Sequence, residues 1–189
     1  MIQQAGGVAW MKAKSPDASG QFPASIQVKA PSTLKLEVQQ PLGGTAAVLS
    51  IEGSELRIDV PGKPERGRRE RDTWAGIPLR WATDLFLGKI PCPDANSLGQ
   101  ASLSINADDE LVVSVPSDAS GKPARFVYRF DERNVGRFWA KTLHWESGNA
   151  AVDFEFDDPE SETQSPLKWQ AKSKQGEVKI RWRDREIVR

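Results

Sequence analysis

The feature of this sequence that most limits its fold is a two-residue alternation of apolar and polar side chains, which recurs along most of the chain. In residues 33–40, for example, Leu34, Leu36 and Val38 fall on one side of an extended segment, and polar residues fall on the other. Proline, glycine, asparagine and aspartate interrupt the pattern at short intervals. This arrangement predicts many short antiparallel β-strands, each with one buried face and one solvated face.

The alternating segments are joined by connections short enough for a meander of neighbouring strands. A sheet of about 11–12 strands must curl around its own side chains, a lid or a ligand. The predicted fold class is therefore mostly β: one curled antiparallel sheet, an unclosed β-barrel, in a single domain over residues 1–189. We predict strands over residues 7–14, 22–29, 33–40, 45–51, 55–60, 101–105, 111–115, 124–130, 138–145, 150–156, 167–171 and 177–183.

One region, at about residues 62–93, departs from the alternation. After a charged run, its apolar residues recur at helical spacing, as in Leu79, Ala82 and Leu85. A proline before these residues and a glycine after them suit the first turn and the end of a helix. We predict a short helix over residues 78–87, inserted midway along the chain as a lid over the curled sheet.

Large aromatic side chains are numerous. The chain has seven tryptophans and seven phenylalanines, and members such as Trp10, Phe22 and Trp169 lie in predicted strands. That many rings can pack a small core or line a cavity. The sequence therefore predicts an interior rich in aromatic side chains.

Composition and the absence of known motifs argue against an enzyme, a cofactor or a nucleic-acid partner. The 26 basic and 26 acidic residues give zero formal net charge, which removes the broad attraction that non-specific nucleic-acid binding requires. Cys92 and His144, the single cysteine and histidine, stand outside any recognised nucleophile, phosphate-binding or metal motif. We therefore expect no catalytic residue, no metal and no cofactor.

Two groups of charged residues can be interpreted either as solvated strand faces or as functional sites. The acidic residues of segment 153–162 begin by alternating with apolar ones, which favours an exposed strand face over a calcium site. Basic residues predominate in the run of residues 63–71 and in the tail of residues 168–189, and in the tail Lys179, Arg181 and Arg183 alternate with apolar residues in the same way. An exposed strand face explains them, although such a patch would also attract anionic lipid head groups.

The segment of residues 39–45 predicts a turn with an apolar tip. Pro41 and the Gly43-Gly44 pair favour a turn that leaves Leu42 at the end of a loop. One interpretation is a side chain folded back on the core. The other is an apolar probe that touches a bilayer or a partner.

Three segments of the sequence are motif-like. The first is the strand and loop of residues 34–45, and the second is residues 76–91, with Gly-Ile-Pro-Leu followed by Phe-Leu-Gly. The third is C-terminal, with Pro166, Gly176 and the strand within residues 178–188. The second segment is the most specific, and the three together, in this order, resemble the LolB family of outer-membrane lipoprotein receptors.

The resemblance extends in outline over residues 6–188 and implies a LolA/LolB-like domain: an unclosed barrel with a lid inserted at about residues 62–93. It implies a monomer that receives lipoprotein acyl chains from a LolA-like periplasmic carrier and inserts the lipoprotein into the inner leaflet of the outer membrane. Residues Pro41, Leu42 and Gly43 match the family's membrane-delivery loop. The implied location is the periplasmic face of the outer membrane, with a lipid anchor on a precursor, because no lipidated cysteine or export signal occurs in these residues.

The residues expected to line the acyl cavity are inward members of the strands and the lid, and each would serve equally well in an ordinary core. A second function also stays open, an interaction module of a cell-envelope complex that has this fold and binds protein instead of lipid. A tightly packed space beneath the helix favours the module, and a contiguous apolar cavity favours acyl binding. The cavity candidates are Leu36, Val38, Leu49, Ile58, Leu85, Phe86, Trp145, Phe154 and Trp182.

Overall fold

The computed structural model describes residues 2–14, 19–40, 43–62, 69–70, 72–118, 121–134 and 137–189. In these ranges the chain forms fifteen β-strands and two short helices. The elements are β1 (Gln4–Lys14), β2 (Ser19–Lys29), β3 (Thr33–Gln39), β4 (Thr45–Glu52), β5 (Glu55–Asp59), β6 (Arg69–Glu70), β7 (Thr73–Trp74), β8 (Ile77–Pro78), α1 (Leu79–Phe86), α2 (Ala95–Leu98), β9 (Ser102–Ile105), β10 (Leu111–Val115), β11 (Ala124–Asn134), β12 (Arg137–Ser147), β13 (Ala150–Phe156), β14 (Lys168–Ser173) and β15 (Gly176–Val188).

Thirteen of the described strands form one antiparallel sheet, in the order β6-β5-β4-β3-β2-β1-β15-β14-β13-β12-β11-β10-β9. The chain runs outward from β1 to β6, crosses over, and returns from β9 to β15. There β15 pairs with β1, from Gln4 opposite Val188 to Lys14 opposite Glu177. Within the described ranges β6 and β9 remain unpaired edges, so the barrel is unclosed. The predicted fold class is confirmed.

All twelve strands that the alternation predicted are present, several of them longer than predicted. The predicted alternation is confirmed residue by residue on β13. Its apolar residues Val152, Phe154 and Phe156 are buried, and Asp153 and Glu155 between them are exposed. The prediction was incomplete for β6, β7, β8 and α2, because elements of two to four residues are too short to show a period. Most of the charged run, residues 63–68 and 71, lies outside the described residues.

The predicted helix is confirmed within one residue at each end. Its C-terminus is a Schellman motif, in which the N–H of Lys89 donates to the Asp84 carbonyl (2.9 Å) and the N–H of Gly88 donates to the Leu85 carbonyl (3.0 Å). Gly88 has φ +74°, which a residue with a side chain adopts only at a cost. This glycine therefore ends α1 and turns the chain towards α2 and the far edge of the sheet.

The crossover between the two edges carries α1 over the concave face. Six of its eight residues are buried, and the concave side chains of the sheet join them in one hydrophobic core. The opposite, convex face carries the charged side chains of the strands. No helix among the described residues is both long enough and apolar enough to span a bilayer.

Candidate functional site

The concave interior is occupied by two aromatic side chains of α1. The ring of Trp81 lies 4.9 Å from that of Trp145, in an edge-to-face arrangement, and also packs against Phe126 and Phe154 at 5.8 and 6.2 Å. The ring of Phe86, one turn further along, approaches Trp169 at 5.3 Å. Edge-to-face pairs at these distances are favourable beyond their buried area. Rings from the lid thus fill the centre of the half-barrel.

The sheet presents two chemically different walls to this helix. The fully buried side chains of β1–β5, here called the aliphatic wall, include no aromatic ring, and the one ring of these strands that packs against the core, Phe22, is only half-buried. Ala9 and Ala24 in this wall are completely buried, and the backbone of α1 lies nearest to β2 and β3. On the other side, aromatic rings of β11–β15 lie between these strands and α1, so the backbone of the helix is further from them. This aromatic wall comprises Phe126, Tyr128, Trp145, Phe154, Phe156, Trp169 and Trp182.

The lid segment, defined here as residues 72–101, is attached to the same side as the aromatic wall. The Ser173 hydroxyl donates to the Ala75 carbonyl (2.8 Å), and a Cβ atom on Gly76 would collide with that hydroxyl. The Tyr128 hydroxyl donates to the carbonyl of Pro91 (2.9 Å). Within the described residues no side-chain hydrogen bond joins the lid segment to β1–β5. The lid is therefore fixed to the C-terminal half of the sheet and only packs against the N-terminal half.

Two protonatable groups in this region stay in their neutral forms at neutral pH. Burial raises the pKa of the Tyr128 phenol well above its ordinary value, which preserves the proton that it donates to Pro91. Desolvation by the surrounding protein, followed by the Asp84 and Asp94 carboxylates, raises the pKa of the Cys92 thiol, although part of that side chain reaches solvent. The neutral thiol is a poor nucleophile.

Among the residues that the structure describes, four polar side-chain atoms around α1 have no hydrogen-bonding partner. They are the hydroxyl of Thr83 on α1 and the indole N–H groups of Trp145, Trp169 and Trp182. A buried donor without an acceptor costs about 1–3 kcal/mol. These groups give the interior a small unused capacity to bind carbonyl oxygens or water.

The nine cavity candidates all belong to the region around α1. Eight of them are buried: three in the aliphatic wall, two on α1 and three in the aromatic wall. Ile58 is half-buried and packs against the same core. Sequence reasoning missed Trp81, the most central ring, although its place four residues before Leu85 on the helix was a readable signal.

The predicted delivery loop is only partly described. Pro41 and Leu42 lie outside the described residues, so the position of the apolar tip stays a prediction. On either side of them, the N–H of Gln40 donates to the Gly44 carbonyl (2.9 Å), and Gly43 is exposed with φ +93°. Gln40, which follows the last residue of β3, and Gly44, which precedes β4, are therefore held together by a backbone hydrogen bond.

Trp10 is a correction to the interior expected from the sequence. Its ring projects from the convex face of β1 with 45% of its surface exposed, whereas Ala9 and Met11 on either side are buried. The alternation of the strand, and not the size of the ring, decides which face the side chain occupies.

His144 also lies on the convex face, away from the interior. Its Nδ1 atom is 2.6 Å from Asp153 Oδ1, and its Nε2 atom is 3.7 Å from Glu146 Oε2. In the described part of the chain no hydroxyl or thiol is hydrogen-bonded to this ring, and no group of three or more metal-binding side chains is found. The histidine is therefore held by two carboxylates on an exposed sheet surface.

No family model matches the sequence, and no curated protein sequence is significantly similar to it. Solved structures do match. A LolA superfamily protein from Nitrosomonas europaea has a TM-score of 0.55 and 12% identity, over 100% of this chain and 87% of that one. A DUF1329 family protein from Desulfovibrio piger has a TM-score of 0.60 and 7% identity, over 99% and 86% of the two chains.

A third match is a domain from Vibrio parahaemolyticus named for outer membrane lipoprotein sorting. It has a TM-score of 0.53 and 10% identity, over 98% of this chain and 85% of that one. Identities this low establish the fold alone. The unclosed antiparallel sheet with a helix across its concave face is therefore a fold that this chain shares with these three structures, one of which is a LolA superfamily protein.

Proposed function

We propose that this protein binds the acyl chains of lipoproteins in its concave interior and delivers them to the inner leaflet of the outer membrane, as a receptor of the LolB type. The observation that carries the proposal is that the element filling the concave face is hydrogen-bonded, among the described residues, to only one half of the sheet and so can be displaced. This observation is needed because a filled interior by itself favours the interaction module. In the described ranges a single short helix fills the concave face, and apolar side chains of that helix take up the space that an acyl chain would need.

The free-energy cost of exposing the helix is of the same order as the gain from burying one acyl chain in its place. Exposing Leu79, Trp81, Leu85 and Phe86 would cost about 6–12 kcal/mol, at about 1.5–3 kcal/mol for each large apolar side chain. A long acyl chain with about 15 methylenes regains on the order of 12 kcal/mol on burial, at about 0.8 kcal/mol for each methylene. Ester carbonyls of the cargo would also be acceptors for the unpaired donors of the interior. Opposing contributions of the same order permit both uptake and release.

The attachment of the lid indicates where acyl chains enter. The lid segment is hydrogen-bonded to Ser173 and Tyr128 of the C-terminal half, so α1 separates more easily from the aliphatic wall. The fully buried side chains of that wall are aliphatic, and the chain continues from β3 into the segment that contains Leu42. In this proposal cargo moves along β2 and β3 towards the loop that touches the membrane.

The interaction module is retained as a second candidate, because the interior is filled and the lid is closely docked. A Cβ atom on Gly76 would collide with Ser173, and one on Gly88 would collide with Ser165. Contacts this close favour a helix that stays in place. A partner protein would then bind an outer surface.

The two candidates are separated by adding a triacylated lipopeptide, with its unacylated twin as control. Acyl binding predicts selective retention of the acylated peptide in native mass spectrometry. It also predicts faster hydrogen exchange in residues 79–86, since α1 must leave the interior. Retention of neither peptide, with unchanged exchange in α1, would overturn acyl binding in favour of the module.

Delivery is tested by Leu42→Glu, because a charged tip is disfavoured in the acyl region of a bilayer. We expect unchanged lipopeptide retention and at least a tenfold slower transfer to vesicles. The matched control is Leu98→Glu, the same change at an exposed leucine of α2. Normal transfer by Leu42→Glu would show that this loop is not the delivery element.

A further inference from the structure

The convex face carries a basic cluster centred on the exposed ring of Trp10. Arg181 of β15 lies directly opposite Trp10, and Lys179 lies opposite Lys12. Residues opposite each other in a sheet project from the same face, so these side chains surround the ring. Lys168 on β14, opposite Arg181, and Arg183 extend the cluster. We call this surface the convex basic patch: Trp10, Lys12, Lys168, Lys179, Arg181 and Arg183.

Most of the basic side chains of the patch have no acidic partner. Lys168 is bound to Asp157 at 3.0 and 3.2 Å. For the other four, no carboxylate oxygen of the described residues lies within 4.0 Å. Two neighbouring acids are engaged elsewhere, Asp158 by Lys141 (3.7 Å) and Glu160 by Arg185 (2.8 Å). Glu177, opposite Lys14, is the acid at the border of the patch.

This concentration of charge is local, because the chain as a whole has zero formal net charge. Among the described residues four basic groups of this face have no carboxylate partner, and they give the surface around Trp10 a local excess of positive charge. The indole of an exposed tryptophan is apolar at one end and donates a hydrogen bond at the other, which suits it to the head-group level of a bilayer. Charge and ring together match an anionic lipid surface.

The patch and the predicted delivery loop lie at the same end of the sheet. Trp10 is opposite Pro23 of β2, and Ala24 is opposite Val38 of β3, next to the last residue of that strand. The row through Trp10 thus ends at the turn between β3 and β4, two strand spacings or about 10 Å across the sheet. One membrane surface can contact both.

We propose that the convex basic patch docks this protein on a membrane rich in anionic phospholipid, with the indole of Trp10 at head-group level and Lys12, Lys179, Arg181 and Arg183 against lipid phosphates. The inference rests on the proposed function only in naming the outer membrane as that surface. Docking in this way presents the β3–β4 turn to the bilayer before any cargo is released.

The test uses vesicles without lipoprotein, so its result is independent of acyl binding. We expect the protein to sediment with vesicles that contain about one-third phosphatidylglycerol and to stay in solution with phosphatidylcholine alone. Binding should weaken as salt is added, since exposed charges are screened. No binding to the anionic vesicles at low salt, or equal binding to both kinds of vesicle, would overturn the proposal.

Two charge-reversal variants locate the surface. Arg181→Glu should lower the vesicle partition coefficient at least tenfold, because each basic residue near an anionic surface contributes about fivefold. Lys29→Glu makes the same change at the other end of β2, opposite Gln4, and should lower it about twofold or less. Equal losses in both variants would show a non-specific charge effect and overturn the assignment.

The depth of the ring provides an independent readout. Lipids brominated near the head groups should quench part of the wild-type tryptophan fluorescence, and Trp10→Phe should abolish that quenching while thermal unfolding stays unchanged. Full quenching in Trp10→Phe would contradict the proposed orientation. Stronger binding to a short single-stranded DNA than to the anionic vesicles would show that the patch serves a nucleic acid instead.

Discussion

The two walls of the half-barrel face the same helix in different ways. The aromatic wall contacts Trp81 and Phe86 through rings at defined angles, and the lid segment is hydrogen-bonded to the same half of the sheet. The aliphatic wall, in which Ala9 and Ala24 are completely buried, has no side-chain hydrogen bond to the lid segment within the described residues and only packs against it. The difference teaches that one half of the sheet holds the lid and the other half is able to release it.

The largest effect on stability is expected from Phe86→Ala, which removes a contact between the lid and the aromatic wall. Removing a fully buried ring that contacts Trp169 and Trp182 should lower the free energy of unfolding by about 3–5 kcal/mol, measured by urea denaturation. Phe138→Ala, at an exposed ring, is the control and should change it by less than about 0.5 kcal/mol. Similarly small losses of unfolding free energy in both variants would show that contacts with the aromatic wall do not stabilise the lid.

A smaller effect is expected on the aliphatic wall from Ala24→Leu. Ala24 is completely buried on a strand that packs against α1, so the extra carbon atoms have no free space, and overpacking of this kind costs about 1–3 kcal/mol. Because the lid is not bonded to this wall, we expect the strain to be relieved by faster hydrogen exchange in residues 79–86, with β2 unchanged. Ala150→Leu, at an exposed position, should be neutral. Loss of protection in β2 instead would contradict the comparison.

The smallest effect is expected from Gly76→Ala, which separates backbone strain from the contact with Ser173. Gly76 has φ +85° and no room for a Cβ atom, so the variant should lose about 1–2 kcal/mol in thermal or urea unfolding. Gly121→Ala, with φ +76° and open space, reports the strain alone. Adding Ser173→Gly to Gly76→Ala should recover the difference between the two. No recovery would show that the close approach is unimportant.

The strands were predictable because the alternation of apolar and polar residues shows directly which face of each strand is buried. The end of α1 was equally readable, since Gly88 supplies the left-handed residue that a Schellman motif requires. Trp10 was misassigned because ring size was given more weight than phase: Ala9 and Met11 already placed the buried side of β1. The alternation along β1 was sufficient to predict that Trp10 is exposed, but the prediction gave more weight to the size of the ring.

The filling of the interior was not predictable from the sequence. It depends on the path of the crossover from one edge of the sheet to the other, and that path is set by contacts between distant residues such as Ser173 and Ala75. The contrast between the two walls is also a property of the assembled sheet, since the two groups of strands are brought together only by the pairing of β1 with β15 and by α1. The tip at Leu42 lies outside the described residues and stays a prediction.

The pairing of β1 with β15 has a consequence for how the chain folds. Every other neighbouring pair in the large sheet joins strands that follow each other along the chain, whereas Gln4 meets Val188. Contacts of such long sequence separation form late, because the loop that they close is large. Each arm of the meander can assemble locally, and β1 keeps an open edge until β15 has been synthesised and folded. That edge is where a chaperone has the most time to act and where misassembly between two nascent chains is most to be expected.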